Sequence, residues 1–67
     1  MNNIIHYKGY AGTVEFSSDD KLLYGKLVLP KDVITYQGST VYWITKSFHE
    51  AVDDYKELLE MRNNEKE

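Results

Sequence analysis

The spacing of apolar residues changes at Ser39, and this change constrains the fold more than any other feature of the chain. Before it, residues 13–17 alternate polar and apolar side chains, which is typical of a strand with one buried face. After it, apolar residues recur every three or four positions, which is typical of an amphipathic helix. The residues with this spacing are Val41, Ile44, Phe48, Ala51, Val52, Tyr55, Leu58 and Leu59. Strand periodicity followed by helix periodicity predicts an α+β domain.

Turn-forming residues divide the first half of the chain into three predicted strands. The run Ser18-Asp19-Asp20-Lys21 separates Tyr10–Ser17 from Leu22–Leu29, so these segments are predicted to form an antiparallel hairpin with a four-residue loop. Pro30 ends the second strand, and Val33–Gln37 is the third. The predicted fold is therefore a three-stranded antiparallel β-meander packed on one long C-terminal α-helix.

The same pattern predicts how these elements pack and where the helix begins and ends. Val14 and Phe16 are expected to face the core. Gly25 lies inside a predicted strand, where glycine costs stability unless another element packs closely against the backbone. A helix crossing the sheet is the simplest such element. Ser39 is the predicted N-cap of the helix. We expect a single domain over residues 1–62, followed by a polar tail at 63–67 that frays.

Composition limits the classes of function. The 67 residues are enough for one small domain, and without cysteine that domain has no disulfide and no thiolate zinc site. A small domain without these supports favours self-association, so a homo-oligomer is expected. The formal net charge of −3 has the wrong sign for gripping phosphates. No targeting sequence or membrane span is recognisable, which predicts a cytoplasmic protein.

Residue types that carry chemistry are present but not in catalytic or metal-binding patterns. The two histidines, His6 and His49, are far apart, and no serine or glycine run matches a nucleophile elbow or a phosphate-binding loop. A cluster of aspartates could support a magnesium nuclease if several met in one pocket. Positions in turns or on the helix surface explain the aspartates more simply. The aspartates are Asp19, Asp20, Asp32, Asp53 and Asp54. We therefore predict a protein that is not an enzyme and has no cofactor and no metal.

One side of the predicted helix is acidic. Its carboxylates are Glu50, Asp53, Asp54 and Glu57. Such a face is either simply solvated or the binding surface for a basic protein partner, because complementary charge raises the encounter rate and sets specificity. Near the start of the helix, Trp43 lies beside core residue Ile44 and adds to an apolar patch that a partner or a second copy could cover.

Four stretches then occur in a recognisable order and spacing. They are Tyr7-Lys8-Gly9-Tyr10 with Gly12-Thr13-Val14-Glu15-Phe16; Asp20 with Tyr24-Gly25-Lys26-Leu27; Asp32-Val33-Ile34-Thr35-Tyr36 with Gly38; and Phe48-His49-Glu50-Ala51-Val52-Asp53-Asp54-Tyr55. Together they resemble the HicB family of antitoxins over about residues 6–60. This resemblance implies a partial ribonuclease-H-like domain without catalytic carboxylates.

The resemblance also implies a partner. HicB proteins inhibit HicA, a small basic toxin that cleaves messenger RNA using a histidine, by covering its active site. By analogy, Glu50, Asp53, Asp54 and Glu57 are the expected toxin-binding residues. Many members continue into a DNA-binding segment that this sequence lacks, so we expect no direct DNA binding from this chain alone. The alternatives are a stand-alone nucleic-acid-binding or regulatory module, a vestigial nuclease, and an oligomeric interaction domain without a toxin.

Overall fold

Five short strands precede one long helix in the computed structural model, which describes the backbone of residues 3–65 and the side chains of residues 3–62. The elements are β1 (Ile4–Tyr7), β2 (Tyr10–Thr13), β3 (Glu15–Ser17), β4 (Leu22–Lys26), β5 (Thr35–Gly38) and α1 (Val41–Glu65). β1 and β2 form a two-stranded antiparallel sheet, and β3, β4 and β5 form a three-stranded antiparallel sheet in that order. The α+β class is confirmed, whereas the prediction of three strands is too low.

The predicted hairpin between residues 10–17 and 22–29 is present in a single register. Phe16 pairs with Leu23, and an isolated bridge joins Gly12 to Leu27 in the same register, with residues 18–21 as the loop. The first strand of this hairpin is interrupted at Val14, which divides it into β2 and β3.

Hydrogen bonds to residues outside the hairpin explain this interruption. The Thr13 carbonyl accepts a hydrogen bond of 2.8 Å from the Tyr36 hydroxyl. The Val14 N–H donates to the Asn3 carbonyl at 2.8 Å. The Lys26 N–H donates to the Thr13 side-chain hydroxyl at 3.1 Å, where a regular ladder would use a backbone carbonyl. The Thr13 carbonyl, which a regular ladder would pair with the Lys26 N–H, thus has a partner outside β4, and the Val14 N–H continues the ladder of β1 and β2.

The first strand, β1, was not predicted. It pairs with β2 through a two-residue turn at Lys8 and Gly9, whose φ angles are 52° and 83°. Positive φ at both central positions is typical of a type I′ turn, which matches the twist of the adjoining strands. Lysine followed by glycine is a weaker signal for this turn than Asn-Gly, and the strand itself has only four residues.

The core lies between the sheets and one face of α1. Its buried residues are Leu27, Tyr36, Ile44, Phe48, Val52 and Tyr55. The apolar stripe of the helix is confirmed over its central turns and at its last residue, Leu59, whereas Val41 and Leu58 are 72% and 41% exposed. After Tyr55, the last buried position among the described side chains, α1 extends for ten more residues.

Phe16 does not face the core, contrary to prediction, because its side chain is 63% exposed. It pairs with Leu23, which in turn pairs with Gly38, and the first turn of α1 packs directly on Gly38. Phe16 therefore lies two strands away from the start of the helix, outside the surface that the helix covers. Val14 does pack against the core, as predicted.

A neighbouring strand, and not the helix, excludes a side chain at position 25. This corrects the prediction that the helix is the close neighbour of Gly25. A β-carbon at this position would overlap the Thr13 carbonyl oxygen and lie 3.0 Å from the Tyr36 ring. The interrupted backbone between β2 and β3 is thus the close neighbour that excludes a side chain.

Both ends of α1 differ from the prediction. The N-cap is Thr40 and not Ser39, since the Thr40 hydroxyl accepts the Trp43 N–H at 3.2 Å and the Thr40 carbonyl accepts the Ile44 N–H at 2.9 Å. The backbone stays helical to Glu65, so part of the predicted tail at 63–67 is helix. The last two residues of that tail, Lys66 and Glu67, lie outside the described part of the chain.

Tyr36 gives the fold a predicted dependence on alkaline pH. Burial raises the pKa of its hydroxyl from 10.0 to about 12. Between these values an unfolded chain has lost the proton and the folded chain has kept it, so the free energy of unfolding falls by about 2 kcal/mol as pH rises from 10 to 12. Below pH 10 both states are protonated and the contribution is complete.

Urea denaturation of the wild type and Tyr36→Phe across this pH range tests this prediction. The variant loses the hydrogen bond to Thr13, which costs about 1 kcal/mol at neutral pH, and its decline above pH 10 becomes shallower. Tyr24→Phe, at a position 42% exposed on the sheet, is the matched control for loss of a tyrosine hydroxyl. Equal slopes for the wild type and Tyr36→Phe would contradict the assignment.

Candidate protein-binding surface

The four predicted partner-binding residues are all exposed on one side of α1, but they have different neighbours. Glu50 and Asp54 are one turn apart and line a groove between α1 and β5. Asp53 faces the β1–β2 turn, and Glu57 follows it by one turn. The structure therefore separates the predicted acidic face into two pairs.

Asp53 already has a cation partner. The Lys8 ammonium donates to the Asp53 carboxylate at 3.0 Å, and the two side chains are 48% and 49% exposed. The hydrogen bond to Asp53 raises the pKa of Lys8, with a smaller contribution from Tyr7. Lys8 is held there by the tight turn, so this ion pair connects the tip of the β1–β2 hairpin to the helix. An exposed pair of this kind contributes little stability but compensates the charge of Asp53.

Next to this ion pair, the Tyr7 and His49 rings stack with centroids 3.9 Å apart and planes at 19°. His49 is half-buried, which agrees with its predicted position at the edge of the apolar stripe. The stack and the ion pair fix the hairpin on this side of α1, so Asp53 and Glu57 lie beside a surface that is already occupied.

Glu50 and Asp54 have different surroundings. Within residues 3–62, neither carboxylate lies within ion-pair distance of a lysine, arginine or histidine. They flank a groove of about 450 Å³ whose apolar floor includes Ala51, Tyr55 and Leu58 and whose other wall is β5. Two uncompensated carboxylates beside an apolar floor attract cationic side chains that also bring apolar surface, as at a protein interface.

Aromatic side chains form a second exposed patch at the start of α1. Tyr42 and Trp43 are 64% and 51% exposed, and their rings meet edge to face at 5.1 Å. The Lys46 ammonium lies 6.0 and 5.7 Å from the two ring centroids. The predicted exposure of Trp43 is confirmed, and the cation over both rings makes the patch partly polar.

The face of the three-stranded sheet opposite the helix holds a concave region of about 620 Å³. Asp20 is its one carboxylate, and its other lining residues are neutral. In the part of the chain with described side chains, no three His, Asp or Glu residues are close enough together to hold a metal ion. The aspartates that a nuclease would need to gather in one pocket are thus spread over turns and the helix surface.

Two parts of this surface were not predicted from the sequence. The pairing of Lys8 with Asp53 spans 45 positions and depends on β1, which was itself missed. The wall formed by β5 follows from helix packing, since α1 contacts this strand more than any other. The Lys8-Gly9 dipeptide between two apolar segments is the one sequence signal that could have indicated the hairpin.

Comparison of the chain with protein-family models, with curated proteins and with solved structures found no match. Among residues 3–65, no helix is both long enough and apolar enough to cross a membrane.

Proposed function

We propose that this protein is a HicB-like antitoxin that binds a small basic, mRNA-cleaving toxin of the HicA type and neutralises it by covering its active site. The observation that carries the proposal is the uncompensated pair Glu50 and Asp54 beside an apolar groove. The α+β architecture, with strands packed on a long C-terminal helix, is compatible with the partial ribonuclease-H-like domain of that family.

The proposed mechanism is occlusion and needs no chemistry from this chain. A basic toxin is drawn to the acidic groove by long-range attraction, which raises the association rate. In contact, the carboxylates of Glu50 and Asp54 accept charge-assisted hydrogen bonds from lysine, arginine or protonated histidine of the toxin. With these groups engaged and the apolar floor covered, messenger RNA has no access to the toxin's catalytic histidine.

The two acidic pairs are expected to contribute unequally. Asp53 must give up or share its ion pair with Lys8 before it can serve a partner, whereas Glu50 and Asp54 are free to do so within the described residues. Because the toxin acts on messenger RNA, the proposal also places the protein in the cytoplasm. A homodimer remains part of the proposal.

Co-expression tests this function. We expect that a small basic protein encoded next to this chain arrests growth when expressed alone, and that this chain restores growth and suppresses the toxin's ribonuclease activity. Glu50→Lys with Asp54→Lys should weaken the purified complex by about 100-fold and abolish rescue. The affinity is measured by titration calorimetry at fixed salt.

The matched control is Asp53→Lys with Glu57→Lys. Both double variants change the formal net charge from −3 to +1, so they alter long-range attraction equally. They differ in position, and the control also breaks the ion pair between Lys8 and Asp53. The control should lose clearly less affinity than the groove variant. Equal losses of affinity would show that Glu50 and Asp54 are not part of the interface. Failure of the wild-type chain to rescue growth would contradict the antitoxin function itself.

A further inference from the structure

The outer edge of β5 has unpaired backbone groups. β5 pairs with β4 on one side, and no described strand pairs with it on the other. The Leu27 N–H donates to the Ile34 carbonyl at 2.9 Å. Because hydrogen-bonded pairs alternate along an antiparallel ladder, the backbone N–H and carbonyl of Tyr36 also point toward β4. The N–H and carbonyl groups of Thr35 and Gln37 alternate with these and point outward, where a further strand would bind them.

Apart from its shortness, this edge has none of the features that usually prevent strand addition. Natural edge strands are commonly blocked by a charged side chain, a proline or a bulge. β5 consists of Thr35, Tyr36, Gln37 and Gly38, none of which is charged or proline, and its pairing with β4 is regular throughout. The edge is short but open over its whole length.

The acidic groove lies directly beside this edge. Thr35 and Gln37 form one wall of the groove, and Glu50, Ala51 and Asp54 lie across from them on α1. A strand added about 4.8 Å from β5 would direct alternate side chains toward the helix, above the small side chain of Ala51. Long cationic side chains at those positions would reach Glu50 and Asp54.

Charge distinguishes the two possible occupants of this edge. A second copy pairing β5 with β5 in antiparallel fashion is related by a two-fold axis perpendicular to the sheet, which places both helices on the same face. Glu50 and Asp54 of both copies would then face one another as four carboxylates, which is unfavourable. A cationic segment would instead neutralise them.

We infer that the open edge of β5 takes an extended cationic segment of the partner protein as an added strand, with lysine or arginine side chains of that segment on Glu50 and Asp54. This inference rests on the proposed function for the identity of the partner and deepens it by naming the mode of recognition. Backbone hydrogen bonds to Thr35 and Gln37 supply the alignment, and the carboxylates select the charge.

A peptide titration followed by NMR tests the inference directly. The probe is an acetylated peptide of alternating threonine and lysine, and its control alternates threonine and glutamate. With the ¹⁵N-labelled full chain, the lysine peptide should shift the amide signals of Thr35 and Gln37 and slow their hydrogen exchange. The glutamate peptide should leave both unchanged.

Two neutralised variants distinguish the groove from the rest of the helix. Glu50→Gln with Asp54→Asn should weaken binding of the lysine peptide by about tenfold, whereas Asp53→Asn with Glu57→Gln should change it by less than about twofold. Gln37→Pro removes one outward N–H without removing a bond to β4 and should also weaken binding. If Gln37→Pro fails to fold, the neutralised pair still decides the result.

Several outcomes would overturn the inference. They are shifts confined to residues away from β5, equal effects of the two neutralised variants, and slow exchange of Thr35 and Gln37 in a chain that is dimeric by ultracentrifugation without peptide. The growth-rescue assay distinguishes failure of the inference about β5 from failure of the proposed function. A chain that rescues growth without binding the peptide at β5 is an antitoxin with another interface, and one that binds the peptide at β5 without rescuing growth contradicts the antitoxin function.

Discussion

Phe48→Ala is expected to lower the free energy of unfolding by at least about a third. The Phe48 side chain is 0% exposed, and its ring lies 5.4 Å from the Tyr36 ring and 6.5 Å from the Tyr7 ring. Truncation of such a buried phenylalanine costs about 3–5 kcal/mol. A domain of this length has a total stability of about 3–10 kcal/mol, so the loss is comparable with the whole. Circular dichroism during urea denaturation measures it.

Phe16→Ala is the matched control for this prediction. It removes the same atoms from a position that is 63% exposed, so the expected cost is below about 1 kcal/mol. The pair also tests the corrected position of Phe16, which alternation alone assigned to the core. Equal destabilisation by the two substitutions would contradict the packing described for both residues.

Gly25→Ala is expected to have the second largest effect, a loss of about 3 kcal/mol from the addition of one methyl group. The new β-carbon would overlap the carbonyl oxygen of Thr13, which belongs to the backbone and cannot turn aside. That oxygen also accepts the hydrogen bond of the buried Tyr36 hydroxyl at 2.8 Å. Relief of the overlap must therefore move a strand and weaken this bond together.

Gly9→Asn serves as the control glycine. A β-carbon at Gly9 meets nothing within 4 Å, and asparagine tolerates the left-handed conformation that its φ of 83° requires. We expect a cost below about 1 kcal/mol in the same urea assay. A Gly25→Ala protein as stable as Gly9→Asn would show that β2 and β4 do not approach each other as closely as described.

The parts of the fold that were predicted correctly depend on neighbours in the chain. The central turns of the helix follow from the spacing of Ile44, Phe48, Val52 and Tyr55, because residues three or four apart share one face whatever lies opposite. The hairpin around residues 18–21 follows from a run of turn formers between two apolar segments. In both cases the information lies within a few residues of the element.

Two of the errors, the interruption at Val14 and the exposure of Phe16, concern contacts between residues that are distant in sequence. The interruption at Val14 depends on Tyr36, whose hydroxyl binds the Thr13 carbonyl and which is not near Val14 in the chain. The exposure of Phe16 depends on where the helix stops covering the sheet. Alternation correctly places side chains on one face of a strand, but it contains no information about how far that face is covered.

The candidate site divides in the same way. Residue type and helical spacing were enough to identify Glu50, Asp53, Asp54 and Glu57 as one acidic side of the helix. Their separation into a pair beside β5 and a pair on the hairpin side was not predictable, because it depends on the angle at which the helix crosses the strands. The same packing brings Lys8 to Asp53 and leaves Glu50 and Asp54 uncompensated.

Local periodicity thus specified an α+β chain with an acidic amphipathic helix, since each of those properties comes from side chains a few positions apart. The tertiary arrangement specified which carboxylates are neutralised, which glycine admits no side chain and which strand edge is open. These properties arise when burial of Phe48, Ile44 and Val52 brings the strands and the helix together. Burial of apolar surface has no direction of its own, so the resulting contacts depend on how all the elements pack at once.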